Sequence, residues 1–268
     1  MLNENDLGFD SQRFGGTQRV YGKQGTDILH QAHVCVVGIG GVGSWVAESL
    51  ARTAIGNITL IDLDDICVTN TNRQIHATVH TVGASKVDVM AERIKAINPK
   101  CQVNLIEDFL TPQNVSQLIT SNYDYVVDAT DSIKAKAAMI AYCKRNKIPI
   151  ITIGAAGGQM DPTQIAVTDL SKTIQDPLAA KLRSELRRFY NFSTNSKRRF
   201  AVDCVYSTEQ LHYPQPDGSV CKQKSLNDGS VKLDCNNGFG AAVVVTATFG
   251  FVATAKVIEK LIKKNSQC

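Results

Sequence analysis

The stretch Val36–Asp65 reads VVGIGGVGSWVAESLARTAIGNITLIDLDD, and within it Gly38, Gly40 and Gly43 are spaced GxGxxG between an apolar run and a helical pattern. Glycines so placed let the backbone turn tightly and approach phosphates at a helix N-terminus. Asp62 closes the next apolar run, where an acid commonly accepts hydrogen bonds from ribose hydroxyls. This much suits NAD as well as ATP. The residues that follow favour a triphosphate: Asp64, Asn70, Asn72, Arg73 and Gln74 crowd a loop where a dinucleotide enzyme usually runs straight into its next crossover. Arg73 can fork onto phosphate oxygens, and Lys86, near a helix start, supplies a compact positive charge. Asp131, in DATDS, lies just past an apolar run ending near Asp128, where a Mg²⁺ ligand is needed. Taken singly, Arg73 is equally a surface ion pair and Asp131 a helix cap. The set together points to a site for a nucleoside triphosphate and Mg²⁺.

Something must hold these groups along one edge. Strand patterns at 33–38, 57–62, 101–107, 123–130 and 148–154 alternate with helical patterns at Val42–Thr53, Ala84–Ile97, Thr111–Thr120 and Ile133–Asn146. That rhythm predicts an α/β fold, a Rossmann-like doubly wound and largely parallel sheet with helices on both faces. After Gly154 the rhythm changes: 163–170 and 200–209 are strand-like and predict an added antiparallel C-terminal part, while Asp176-Pro177 looks like a helix start. A loop rich in Gly, Asp, Asn and Ser, 214–238, leads to a final helix.

With 268 residues and 43% hydrophobic content, a single domain over 1–268 is expected, with 1–30 as an N-terminal arm and 171–200 as a basic insertion. The net charge of +4 is mild but uneven, since Lys181, Arg183, Arg187, Arg188, Lys197, Arg198 and Arg199 are opposed only by Glu185 and interleaved with Phe189, Tyr190 and Phe192. A solvated helix and loop explains such a run; so does a surface for a polyanion. The eight cysteines include no CxxC pair and read as reduced cytosolic thiols, and the polar N-terminus lacks a secretory core, so a cytoplasmic location is expected. The apolar run 238–255 raises membrane association as an alternative; interruption by Lys256, Glu259 and Lys260 favours a buried core helix.

The combination GxGGxG, DxDD, TNxNRQ, VGxSK and DATDS resembles the ubiquitin-activating-enzyme-like superfamily of ThiF/MoeB type, from about Arg13 through the final helix. RQIHA, DPTQIAVTDLSKTIQDPLAAKLRSELRR and VYSTE are similar to one branch, the bacterial tRNA threonylcarbamoyladenosine dehydratases. The resemblance implies a homodimer that uses ATP and Mg²⁺ to adenylate the carboxylate of threonylcarbamoyladenosine at position 37 of tRNA, whose side chain then closes with loss of water. It implies Gly41 and Asp62 on the nucleotide, Asn70, Arg73 and Lys86 around the phosphates, and Asp131 on Mg²⁺. A neighbouring nitrogen of the substrate can attack the adenylate, so no enzyme nucleophile is required.

Two departures from the superfamily stand out. Its paired zinc-binding CxxC motifs are missing, and Cys204, Cys221 and Cys235 are too scattered to replace them, so no zinc is expected. Where relatives carry RFxR, with a second arginine reaching a neighbouring subunit, this chain has RFGG; Gly16 occupies the position, leaving Arg13, Arg19 or no residue in that role. The alternative function is adenylation of the C-terminal glycine of a ubiquitin-like sulfur carrier, with a sulfur-relay or carrier protein as partner and Cys204 or Cys235 as acceptor thiol. An NAD oxidoreductase and a non-catalytic nucleotide sensor are the remaining readings.

Overall fold

The computed structural model describes residues 10–215, 217–222 and 239–265. Five strands follow the expected order, β1 (His33–Val37), β2 (Asn57–Ile61), β3 (Gln102–Ile106), β4 (Tyr125–Asp128) and β5 (Ile150–Ile153). With β6 (Ile165–Asp169) and β7 (Asp203–Ser207) they form one seven-stranded sheet of order β3-β2-β1-β4-β5-β7-β6. All pairs are parallel except β6 on β7. β8 (Tyr213–Pro214) and β9 (Val220–Cys221) make a separate antiparallel pair inside the stretch read as loop.

The central strands β1, β2, β4 and β5 are largely apolar because both their faces are covered, whereas the edge strand β3 is largely exposed. On one face Val34, Val36, Ile58 and Leu60 pack with Val46 and Leu50 of α2 (Gly43–Arg52), Met90 and Ile94 of α3 (Lys86–Ile97), and Phe249 and Val257 of the long helix Val243–Asn265. On the other, Cys35, Val37 and Val126 pack with Met139 and Ile140 of the helix Ile133–Arg145 and with Leu182 and Leu186 of the helix Pro177–Phe189. In chain order the remaining helices are α1 (Ser11–Gln31), α4 (Val115–Leu118), α5 (Ile133–Arg145), α6 (Pro177–Phe189) and α7 (Val243–Asn265).

One expected helix shortens, the arm gains a defined structure, and the favoured core-helix reading of the last apolar run holds. The arm is helical in its described part, and α1 breaks at Gly22, which takes φ 73°. The helix expected over Thr111–Thr120 shrinks to α4, because the Asn114 side chain accepts from both Thr111 N and Thr111 Oγ1 and holds the preceding turn. α7 buries Val245, Phe249, Ala253, Val257 and Leu261, and no helix among the described residues is long and apolar enough to cross a membrane.

Candidate active site

In an open α/β sheet, ligands settle at the carboxyl ends of the strands where the order reverses. Here β1 lies between β2 and β4, so the reversal falls between β1 and β4. The glycine turn follows β1 at that point. Gly38 takes φ 86°, and a Cβ there would press to 2.9 Å from Ala129 O; one on Gly43 would meet Gly38 O at 1.8 Å. Any side chain at either position would force the turn off the sheet. At Gly40, by contrast, a Cβ would meet nothing within 4 Å, so backbone is left open at the mouth of the turn.

Asp62 fixes the turn. Its Oδ2 accepts from Ile39 N at 2.6 Å and its Oδ1 from Asp64 N at 2.9 Å. A carboxylate offers about four lone-pair sites, so this buried group keeps acceptor capacity beyond the backbone it holds. The following loop opens with a 3-10 turn, Val68–Asn70, in which Asn70 is buried and accepts from Cys67 N at 3.0 Å. Asn70 therefore acts as a strut within the loop. Arg73 stands on this strut: its Nη1 donates to Thr69 O at 2.9 Å and Asn72 Oδ1 at 3.0 Å, and its carbonyl accepts from Trp45 Nε1 of α2 at 3.0 Å. Its aliphatic stem lies across Gly41, where a Cβ would meet Arg73 Cγ and Cδ at 3.2 Å. The guanidinium is thus brought onto the glycine turn.

Lys86 begins α3, two residues later than the expected start at Ala84; its N–H donates to Asp64 O at 3.1 Å and ties the helix start to the end of β2. Its buried ammonium lies 2.7 Å from Asp64 Oδ2 and 4.0 Å from Asp62 Oδ1. Asp131 is exposed in the short loop between β4 and α5, at the same edge. Gly41, Asp62, Asp64, Arg73 and Lys86 are therefore linked by contacts at this edge, and the loop that carries Asp131 begins at Ala129 and Thr130, which lie against Gly38. No group of three or more His, Cys, Asp or Glu side chains able to hold a metal occurs among the described residues. Mg²⁺ held by one carboxylate plus substrate phosphates needs no such group.

The basic segment divides. Arg183 donates through Nη1 to Thr173 Oγ1, Arg187 Nε donates to Ser193 O at 3.3 Å with its guanidinium 5.4 Å from the Phe200 ring, and Arg199 Nε sits 3.5 Å from Asp169 Oδ2. Those three support the local fold. Lys181, Arg188, Lys197 and Arg198 are exposed, as is Arg199 despite its ion pair, and Arg188 also lies 5.0 Å over Phe189. Phe192 packs edge-on against Phe200 at 5.0 Å, so Phe189 is the aromatic left in the open. Arg13 donates to Asp10 and to Ile97 O within its own chain. Cys204 is wholly buried in β7 and burial pushes its thiol far up; Cys235 lies outside the described residues.

Sequence reasoning missed what lies under the Asp131 loop. Asp128 and Lys136 are both fully buried and 3.0 Å apart. Thr152 Oγ1 donates to Asp128 Oδ2 at 2.6 Å, and Lys136 Nζ donates to Thr130 O at 2.9 Å. It also missed Trp45 as an anchor for the Arg73 loop, and the burial of Gln74 and His76. Gln74 Oε1 and both His76 ring nitrogens find no hydrogen-bond partner among the described residues. Burial, then Lys86 and Arg93, push the His76 pKa down to about 4.

Fold and edge together define a Rossmann-type α/β protein whose switch point carries a glycine turn flanked by Arg73 and Lys86. Residues 15–267 match the ThiF family, and the chain belongs to it. It is 61% identical over 253 residues to the tRNA threonylcarbamoyladenosine dehydratase of Escherichia coli K12, covering 94% of each chain. The corresponding Haemophilus influenzae protein is 58% identical over 255 residues, 95% of each chain. A crystal structure of the E. coli dehydratase in complex with ATP superposes with a TM-score of 0.86 at 56% identity, covering 96% of both chains.

Proposed function

We propose that this chain is an ATP-dependent dehydratase that adenylates the carboxylate of threonylcarbamoyladenosine at position 37 of tRNA and promotes its closure to the cyclic form. The adenylating half of the reading is carried by one observation, the Arg73 stem lying across Gly41 beside open backbone at Gly40, with the Lys86 ammonium close to Asp62 at the same turn. The tRNA half is supported by the likeness to the E. coli dehydratase along nearly its whole length.

A carboxylate is a poor acyl donor because oxide would have to leave. In the proposed reaction a carboxylate oxygen attacks the α-phosphorus of ATP, the α–β bridging P–O bond breaks, and pyrophosphate departs. An atom of the same substrate side chain then attacks the acyl carbon. The bond to AMP breaks with its electron pair, and the attacking atom loses its proton. The enzyme's task is position and charge. The Gly38–Gly43 backbone faces the phosphates, Asp62 holds that turn and takes the ribose, and Asp64 and Asn70 hold the loop. Arg73 and Lys86 neutralise phosphate oxygens. Asp131 would hold Mg²⁺, which supplies further charge neutralisation on the phosphates. No thiol takes part, in keeping with the burial of Cys204.

In this reading the chain works as one unit in the cytoplasm as a homodimer, and 171–200 serves as the tRNA-binding insertion. Its exposed cations Lys181, Arg188, Lys197, Arg198 and Arg199 meet RNA phosphates, while Arg183 and Arg187 shape the surface beneath. The test is AMP release by the purified protein with Mg²⁺ and ATP, first with threonylcarbamoylated tRNA and then with a sulfur-carrier tail peptide ending in glycine. Release with the tRNA alone, with formation of the cyclic base, is expected. Release with the peptide alone returns the protein to the sulfur-carrier reading.

A further inference from the structure

A second cleft, of about 550 Å³, lies on the same edge of the sheet as the nucleotide crevice, among Gln175, Ala180, Arg183, Gln210, Leu211 and Tyr213. Its floor is set by Asp176, the N-cap of α6. That carboxylate accepts from Ala179 N at 2.8 Å and from Ala155 N at 3.0 Å, just beyond β5. Its Oδ2 sits so close to Gly154 that a Cβ there would lie 1.8 Å away. The first turns of α6 are therefore clamped onto the carboxyl end of β5. The opposite wall, Gln210 and Leu211, follows the carboxyl end of β7, the strand paired with β5.

We propose that this cleft is the acceptor pocket, seating the modified adenine with its carbamoyl-amino-acid arm; the proposal rests on the tRNA reading above. Distance along the edge is the first argument. Strands run β1-β4-β5-β7, and neighbours are roughly 4.8 Å apart, so the cleft lies about one to two strand widths, roughly 5–10 Å, from the end of β4 that carries the Asp131 loop. A carbamoyl-amino-acid arm is about two peptide-like units long and spans roughly 7 Å. A base in the cleft thus presents its terminal carboxylate to a nucleotide bound between β1 and β4.

Size and chemistry agree with that placement. The volume falls within the range of about 300–1,000 Å³ usual for small-molecule sites, enough for one base and its arm. Tyr213 and Leu211 offer flat apolar surface, the tyrosine ring being braced by Phe239 at 5.0 Å, and an unstacked base is commonly held on such faces. Arg183 lines the cleft with a guanidinium already fixed by Thr173, and the Gln175 and Gln210 amides add donors and acceptors that suit a carbamoyl group and a carboxylate. Asp176 does not oppose an anion freely, since both its oxygens are engaged by backbone N–H groups.

Ala180 is exposed on α6 and faces the cleft, so Ala180→Trp fills it without altering charge. Gln210→Trp fills it from the opposite wall. With wild-type protein turning over threonylcarbamoylated tRNA, each variant should lose about tenfold or more in kcat/KM for that tRNA, with ATP affinity by calorimetry unchanged. Wild-type turnover in whichever variants fold and bind ATP overturns the pocket. Loss of ATP binding in both variants also overturns it, by making the cleft part of the nucleotide site. If the wild-type protein releases no AMP with the modified tRNA, the tRNA reading itself fails, an outcome visible before any variant is made.

Discussion

Lys136→Met is the sharpest test of the buried pair under the Asp131 loop. The substitution removes an ammonium with no exposed surface from a carboxylate that is equally buried, at 3.0 Å. Removing one partner of a buried ion pair typically costs about 3–5 kcal/mol, because the other charge is left without water or counterion. Asp128 keeps three donors, from Thr152 Oγ1 at 2.6 Å, Thr130 Oγ1 at 2.9 Å and Thr130 N at 3.3 Å, which places the expected loss near the lower end, about 3 kcal/mol. For a chain of this size that is a fall of roughly 6–12 °C in Tm. Lys136→Met combined with Asp128→Asn should recover much of the loss at pH 8. A single variant within about 1 °C of wild type at pH 8, or a deficit that Asp128→Asn does not relieve, refutes the reasoning.

Arg73→Ala or Lys86→Ala should lower turnover by roughly two to three orders of magnitude in single-turnover assays while leaving the fold intact. Asp131→Ala should behave alike and recover partly at high Mg²⁺. Asp64→Asn removes the anion 2.7 Å from the Lys86 ammonium, yet leaves the backbone bond from Lys86 N to Asp64 O; ATP affinity by calorimetry should rise a few-fold, about 0.5–1 kcal/mol, and a weaker affinity would count against phosphate binding by Lys86. His76 is held neutral by burial, with its pKa at about 4 against an ordinary 6.5, so the unfolded chain takes up the proton first and stability falls as pH drops from 6.5 toward 4. The full effect is about 3 kcal/mol, and His76→Gln should flatten that part of a urea-denaturation profile.

Much of the scaffold was legible because buried parallel strands must be apolar on both faces and the turns between them need specific residues. The GxGxxG spacing, the helix start at Asp176-Pro177 and the change of rhythm after Gly154 all carry local physical causes. The pairing of Asp128 with Lys136 does not show itself that way, since SIKAKAAM reads as an ordinary amphipathic helix with lysines outside. Yet Lys134 is exposed while Lys136 is fully buried. The signal is positional: Lys136 shares a helix face with Met139, Ile140 and Cys143, all fully buried, and a lysine on an apolar stripe requires a buried acid. Arg183 and Arg187 mislead in the opposite direction. Their spacing with Leu182 and Leu186 puts their stems along the inner flank of α6, where the guanidinium groups bond the fold. The shortened α4 depends on one asparagine side chain competing with the backbone, a choice no periodicity reports.

The acids at the carboxyl edge divide by what surrounds them. Asp62 and Asp128 close β2 and β4, are buried, and have each oxygen engaged by the chain itself, by Ile39 N and Asp64 N in one case, which leaves further lone pairs open, and by Thr130, Thr152 and Lys136 in the other. Asp64 and Asp131 lie two and three residues further on and are exposed. A buried carboxylate that let go of these partners would leave both itself and a backbone or ammonium donor unsatisfied, at a cost of about 1–3 kcal/mol for each group. An exposed one exchanges its partner for water at little cost. The edge therefore carries a fixed inner pair that sets the glycine turn and the 129–132 loop, and an outer pair free to trade partners as phosphate charge arrives. Lys86 spans the two sets, 4.0 Å from Asp62 and 2.7 Å from Asp64. In the proposed adenylation its ammonium would surrender the outer carboxylate to a phosphate oxygen without leaving the inner one, so that the positive charge would be held in place before the nucleotide and remain there after it binds.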